Sequence, residues 1–262
     1  MHSSTFFEHV RREWRYTPRR GPVTMALIGV ACVALTHLIL PLLPERALEL
    51  MRRGFLLQDM AGVLALNDLM AVYFPTFFIG LACSLDVVLM AREEHRLEVL
   101  LSKPVRVADF VAARALPALA WTAIVGATIS LACAVAVAVH AGVGDSVSAA
   151  GAFGGGLALT AVAIVLVALL QIPFVRIRDP FTGVLVACGL WFATSMPTAV
   201  LLYRPDAFAG EAALVNVVVV PSLLWHEATL VWLGPLMLVL AAPVAVLLAR
   251  AAGRLLERSD SM

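Results

Sequence analysis

Long apolar runs separated by short charged stretches dominate the chain, at about residues 21–43, 70–91, 113–140, 149–175, 181–203 and 229–250. Each reaches the roughly 20 residues that an α-helix needs to cross the hydrocarbon of a bilayer, where every backbone N–H and C=O must be satisfied inside the segment. The pattern predicts an all-α integral membrane protein with six transmembrane helices, forming one transmembrane domain over residues 1–262. Ahead of the first run, residues 4–18 place Phe7, Val10 and Trp14 on one helical face and Glu8, Arg11, Arg12 and Arg15 on the others. This predicts an interfacial helix within residues 1–20 whose apolar side rests at the headgroup boundary, the alternative being a solvated basic leader.

Between the fifth and sixth runs, residues 204–228 contain the stretch Ala213 to Trp225, which is too short to cross a bilayer and carries Pro221. A re-entrant exoplasmic hairpin before the last span is expected there; a seventh span is the alternative and would move the C-terminus to the other side.

Composition agrees with lipid as the main solvent: 61% of residues are hydrophobic, 14% are charged and the mean hydropathy is +0.93. A net charge of +1 gives no reason to expect nucleic acid as a partner. Its distribution is more informative. With six spans, 15 of the 19 Lys and Arg residues fall on the side shared with the two termini, and only Arg46, Arg52, Arg53 and Arg204 on the other. The positive-inside rule then makes both termini cytoplasmic. The N-terminus does not read as a cleaved signal peptide, because a long charged segment precedes an over-long apolar run without a small-x-small site.

Few side chains within the runs carry chemistry. Cys32, Cys83, Cys133 and Cys188 lie in apolar surroundings without CxxC spacing and read as small buried hydrophobes. Gly151 and Gly155 form a GxxxG at the start of the fourth run, suited to helix packing within the subunit or to a dimer seam. Polar groups inside spans are the default functional suspects: His37, Asp86 and Gln171. Asp86 is the only acidic one this reading places in a span, close enough to the membrane edge to pair with Arg92 or meet water.

The connection between the second and third runs, Ala91 to Val105, is amphipathic. Leu97, Leu100 and Leu101 recur at helical spacing, Glu93, Glu94, Arg96 and Glu98 fill much of the remaining surface, and Pro104 ends the helix. A short helix of this kind suits docking in a groove of a soluble partner. The segment resembles the cytoplasmic motif of ABC-2 type permeases, the membrane subunits of ATP-binding cassette exporters, written E-x-G-T-L-E-x-L-L-x-x-P-V. Glu93, Leu97, Glu98, Leu100, Leu101, Pro104 and Val105 match it, whereas His95 and Arg96 stand where the family usually has Gly-Thr. The N-terminal interfacial helix, the six spans and the bent segment before the last span are similar to that family too.

That resemblance implies a coupling segment over residues 92–105 that docks in a P-loop ATPase subunit through Glu93, Glu94, Arg96, Leu97, Glu98 and Leu101. It also implies two ATPase copies, a second permease subunit, identical or related, and a place in the bacterial inner membrane. ATP and Mg would be bound by the partner, and this chain would hold no cofactor. It would not be an enzyme: the only lysine, Lys103, follows Ser102, so no GxxxxGK[ST] phosphate loop is present. His226-Glu227 begins like a zinc-protease HExxH but has Leu230 at the second histidine position. Another class stays open, a stand-alone secondary carrier or an immunity or assembly factor. An ion-driven carrier would need interior ionisable residues.

Overall fold

The computed structural model of the chain describes residues 3–54, 60–94, 106–139, 148–203 and 230–259. Regular structure in these residues is helical: α1 (Ser3–Tyr16), α2 (Arg20–Ile39), a single 3-10 turn (Leu40–Leu42), α3 (Glu45–Gly54), α4 (Met60–Val87), α5 (Leu89–Glu93), α6 (Val107–Val139), α7 (Ala149–Phe174), α8 (Pro180–Tyr203) and α9 (Leu230–Ser259). Five stretches are long and apolar enough to cross a membrane: Arg20–Ile39, Met70–Glu93, Val107–Val139, Ala149–Phe174 and Trp232–Arg258. The described apolar part of α8, Pro180–Thr194, is shorter.

Helix starts differ from the edges of the apolar runs. The second helix begins at Met60 and not near residue 70, and α6 begins at Val107 and not near 113. Backbone hydrogen bonding carries a helix through polar residues that end a hydropathy run, provided the bundle or an interface accommodates them. Pro75 interrupts the ladder inside α4. Beside it the Thr76 hydroxyl turns back on its own helix, its Oγ1 lying 2.7 Å from the Val72 carbonyl and 3.0 Å from that of Tyr73.

Helix α7 is the hub, packed against α6, α9 and α4. Small residues permit that closeness. A Cβ at Gly126 of α6 would collide with Thr160 of α7, and one at Gly156 of α7 would collide with Ser130 of α6, so the two helices interlock reciprocally. The hydroxyls in this seam are satisfied within their own helices, Ser130 donating to the Gly126 carbonyl at 2.7 Å and Thr160 to that of Gly156 at 2.8 Å. On the other side of α7, a Cβ at Gly234 of α9 would strike the Gly154 carbonyl. The glycines at the start of α7 thus serve packing within the subunit. Between helices in lipid, close van der Waals contact of this kind replaces the hydrophobic effect as the main attraction.

Outward faces are apolar. Leu27, Leu35 and Leu38 on α2 and Trp232, Val239 and Leu247 on α9 are exposed, an arrangement suited to lipid and not to water. Cysteine placement is mixed: Cys133 is buried, Cys83 and Cys188 are half-buried, and Cys32 is exposed on α2, so only Cys133 is the fully buried hydrophobe expected; all four are free thiols.

Both ends of the chain meet at one end of the bundle. Trp14 of α1 stacks on Trp121 of α6, ring centroids 5.6 Å apart, and Phe6 lies 5.3 Å beneath the Arg250 guanidinium near the end of α9. Phe6 of α1 packs on the core, whereas Phe7 on the face expected at the headgroup boundary is exposed. Asp179 caps α8 by accepting the Thr182 N–H at 2.8 Å, and bonds from Thr182 hold its carboxyl below the usual carboxylate range.

Candidate functional site

At the end of the bundle that carries the termini, α4 breaks at Val88 and resumes as α5. Val87, Val88, Leu89 and Ala91 are buried, so the chain enters its motif-bearing connection from inside the core. Arg92 fixes the entry. Its guanidinium donates from Nη1 to the Ile177 carbonyl at 2.8 Å and from Nη2 to the Val175 carbonyl at 3.0 Å. These carbonyls follow the C-terminus of α7, where unpaired acceptors and the negative end of the helix dipole favour a cation. Leu89 completes the clamp by filling the space beside Gly183 of α8, where a Cβ would lie 2.5 Å from its Cδ1.

Glu93 and Glu94, the first residues expected to contact a partner, are exposed immediately beyond this clamp. Arg96, Leu97, Glu98 and Leu101, together with the rest of the motif through Val105, lie outside the described residues. So does the expected re-entrant segment, 204–228.

Asp86 sits two residues before the break in α4, and its Oδ2 accepts from Arg114 of α6 at 3.0 Å. Arg114, not the expected Arg92, is therefore the arginine paired with it, because Arg92 is turned toward the end of α7. The pair lines a cavity of about 390 Å³ between α1, α2, α4 and α6, together with Glu13, Tyr16 and Cys83. Gln171 is buried in α7, and its Nε2 donates to the Ser84 carbonyl at a long 3.4 Å.

The far end of the bundle holds a group that hydropathy did not reveal. His37 near the end of α2 is buried, and its Nε2 lies 3.0 Å from Oδ2 of Asp68, which is fully buried in α4. Asn67 donates to the other carboxylate oxygen at 3.5 Å, and the Cys133 thiol of α6 donates to the Asp68 carbonyl at 4.0 Å. Asp86 is therefore not the only acidic residue among the helices. The early start of α4 draws Asp68 into the bundle, whereas a run beginning near residue 70 leaves it in a loop. A signal was available: Gly62 to Leu66 continue the apolar pattern upstream, so Asn67 and Asp68 interrupt a longer run and do not bound it. His37 also lines an apolar groove of about 560 Å³ between α2 and α6.

Among the described residues no three His, Cys, Asp or Glu side chains approach closely enough to hold a metal ion. Comparison with known proteins gives no matching family model and no matching curated protein.

Proposed function

We propose that the chain is the membrane permease of an ATP-binding cassette exporter of the ABC-2 type, driven by a P-loop ATPase on a separate polypeptide. The observation that carries this reading is the segment Ala91 to Val105, whose motif residues follow directly from the clamped helix α5. Arg92 ties the beginning of that segment to the α7–α8 turn, so a displacement imposed on residues 93–105 by a closing ATPase would be passed to α7 and α8. The exposed acids Glu93 and Glu94 would set docking register, and Leu97 and Leu101 would supply burial against the ATPase.

In this reading α8 is the fifth of six spans and α9 the last. Its 24 residues rise about 36 Å, enough for the hydrocarbon core. The basic end of the bundle is then cytoplasmic in the bacterial inner membrane, and residues 204–228 form the re-entrant exoplasmic segment. A second permease subunit completes the translocation path, two ATPases bind ATP and Mg, and the cargo moves outward. The test is purification of the tagged chain from its native membrane in mild detergent. A P-loop ATPase in stoichiometric amount supports the reading, and an active preparation without one removes it.

One observation favours a second reading, an ion-driven carrier. Asp68 and His37 form the interior ionisable pair that such a carrier requires. Proteoliposomes containing this chain alone would then take up protons under an imposed potential, reported by a pH-sensitive dye, and Asp68→Asn would abolish the uptake. Absence of uptake in the unaltered protein discards this alternative.

A further inference from the structure

Where α6 begins and α9 ends, the two helices touch backbone to backbone. A Cβ at Gly253 would lie 2.5 Å from the Ala108 Cα and 3.0 Å from the Val107 carbonyl oxygen. Around this contact is a cavity of about 600 Å³ lined by Arg106 and Asp109 from one side and by Arg250, Arg254 and Glu257 from the other.

Both carboxylates are engaged. Asp109 lies 3.3 Å from Arg250 Nε, and Glu257 accepts the Val107 N–H at 2.9 Å. Arg250 is further held over the Phe6 ring. Arg106 and Arg254 are exposed, and among the described residues neither has a carboxylate within ion-pair distance. Three guanidiniums thus face two carboxylates, three positive charges against two negative leaving a net +1, in a cavity large enough for more than a simple ion.

We propose that this cavity binds the phosphodiester headgroup of an anionic phospholipid. Guanidinium forks match phosphate oxygens, and the two arginines without acids supply the complementary charge. Depth favours lipid over a soluble source. Two turns along α9 from Arg254 the surface becomes apolar at Leu247 and Val244, and the exposed Phe7 of α1 lies next to Phe6 at the cavity's edge. The site therefore sits where charged helix ends give way to hydrocarbon-facing side chains. It is independent of whether an ATPase drives the protein.

The test is native mass spectrometry of delipidated protein titrated with phosphatidylglycerol, phosphatidylcholine or inorganic phosphate. One phosphatidylglycerol should bind in clear preference to phosphatidylcholine, and R106Q/R254Q should weaken it by more than about tenfold, through loss of the charge-assisted guanidinium–phosphate bonds. R11Q/R12Q, which removes the same charge from exposed positions on α1, should leave that binding within about twofold, and an unchanged melting temperature certifies the fold of each variant. Equal weakening in both double variants would show a diffuse surface potential and overturn the site. Undiminished binding in R106Q/R254Q, or displacement of the lipid by inorganic phosphate, would overturn it as well.

Discussion

A carboxylate closed inside a helical bundle persists only with partners, because an unpaired charge in a medium of low polarity costs several kcal/mol. Asp68 meets this requirement at its carboxylate with His37 of α2 and Asn67 of α4, while its backbone carbonyl accepts from the Cys133 thiol of α6. The pair joins α2 to α4, so its loss should loosen these two helices. Unfolding in mixed micelles should give a coupling of about 1–2 kcal/mol in the His37→Ala, Asp68→Ala double-mutant cycle, since a chain unfolded within lipid also finds polar partners and limits the gain. A coupling near zero would reduce the contact to mere proximity. His37 was identifiable from its place in an apolar run; Asp68 was missed because hydropathy windows treat a polar dipeptide as an end and helices do not, although the apolar Gly62 to Leu66 upstream carried the signal. Gln171 was legible for the same reason as His37; the exchange of Arg92 for Arg114 as partner of Asp86 was not, since it depends on how α6 is rotated against α4.

Among the elements, α5 is the shortest and the most consequential. Its five residues are too few for a stable helix alone, so burial of Leu89 and the double bond from Arg92 must hold it. Arg92→Ala should cost about 2–3 kcal/mol, because charge-assisted hydrogen bonds are the stronger ones, and should speed amide hydrogen exchange at residues 89–94 ahead of the remaining bundle. Uniform exchange across α4 and α5 in the variant would contradict the clamp. The α6–α7 seam makes a separate prediction. Gly126→Ala should destabilise by about 1–3 kcal/mol through overpacking against Thr160, and Thr160→Ala in the same chain should recover part of the loss. Melting curves in detergent distinguish this from a simple helix-propensity effect, which would make Gly126→Ala stabilising. The GxxxG at Gly151 and Gly155 showed that close packing begins α7, but not which helices it meets; that depends on bundle topology, which brings Gly154 to Gly234, 80 positions apart in sequence.

For the molecule as a whole, hydropathy gave the helical class and five of the membrane-length helices, because lipid imposes a length and a composition that survive in a single sequence. The grouping of arginines also had a physical counterpart: the chain's two ends meet through Phe6 and Arg250 at the same end of the bundle as Arg92 and Arg106. The inward packing of Phe6 was not legible in the spacing of α1, which singled out only the face carrying Phe7, Val10 and Trp14. Connection of α5 to the α7–α8 turn through Arg92 would let the bundle receive force at its basic end, and this is the central claim. It is tested most directly by ATP hydrolysis and cargo-independent complex stability in detergent-extracted material carrying Leu97→Ala and Glu98→Ala together. The account predicts that a P-loop ATPase co-purifies with the unaltered chain and hydrolyses ATP, and that the double variant inserts normally but loses that ATPase. A double variant that keeps the same partner and the same hydrolysis rate would contradict it.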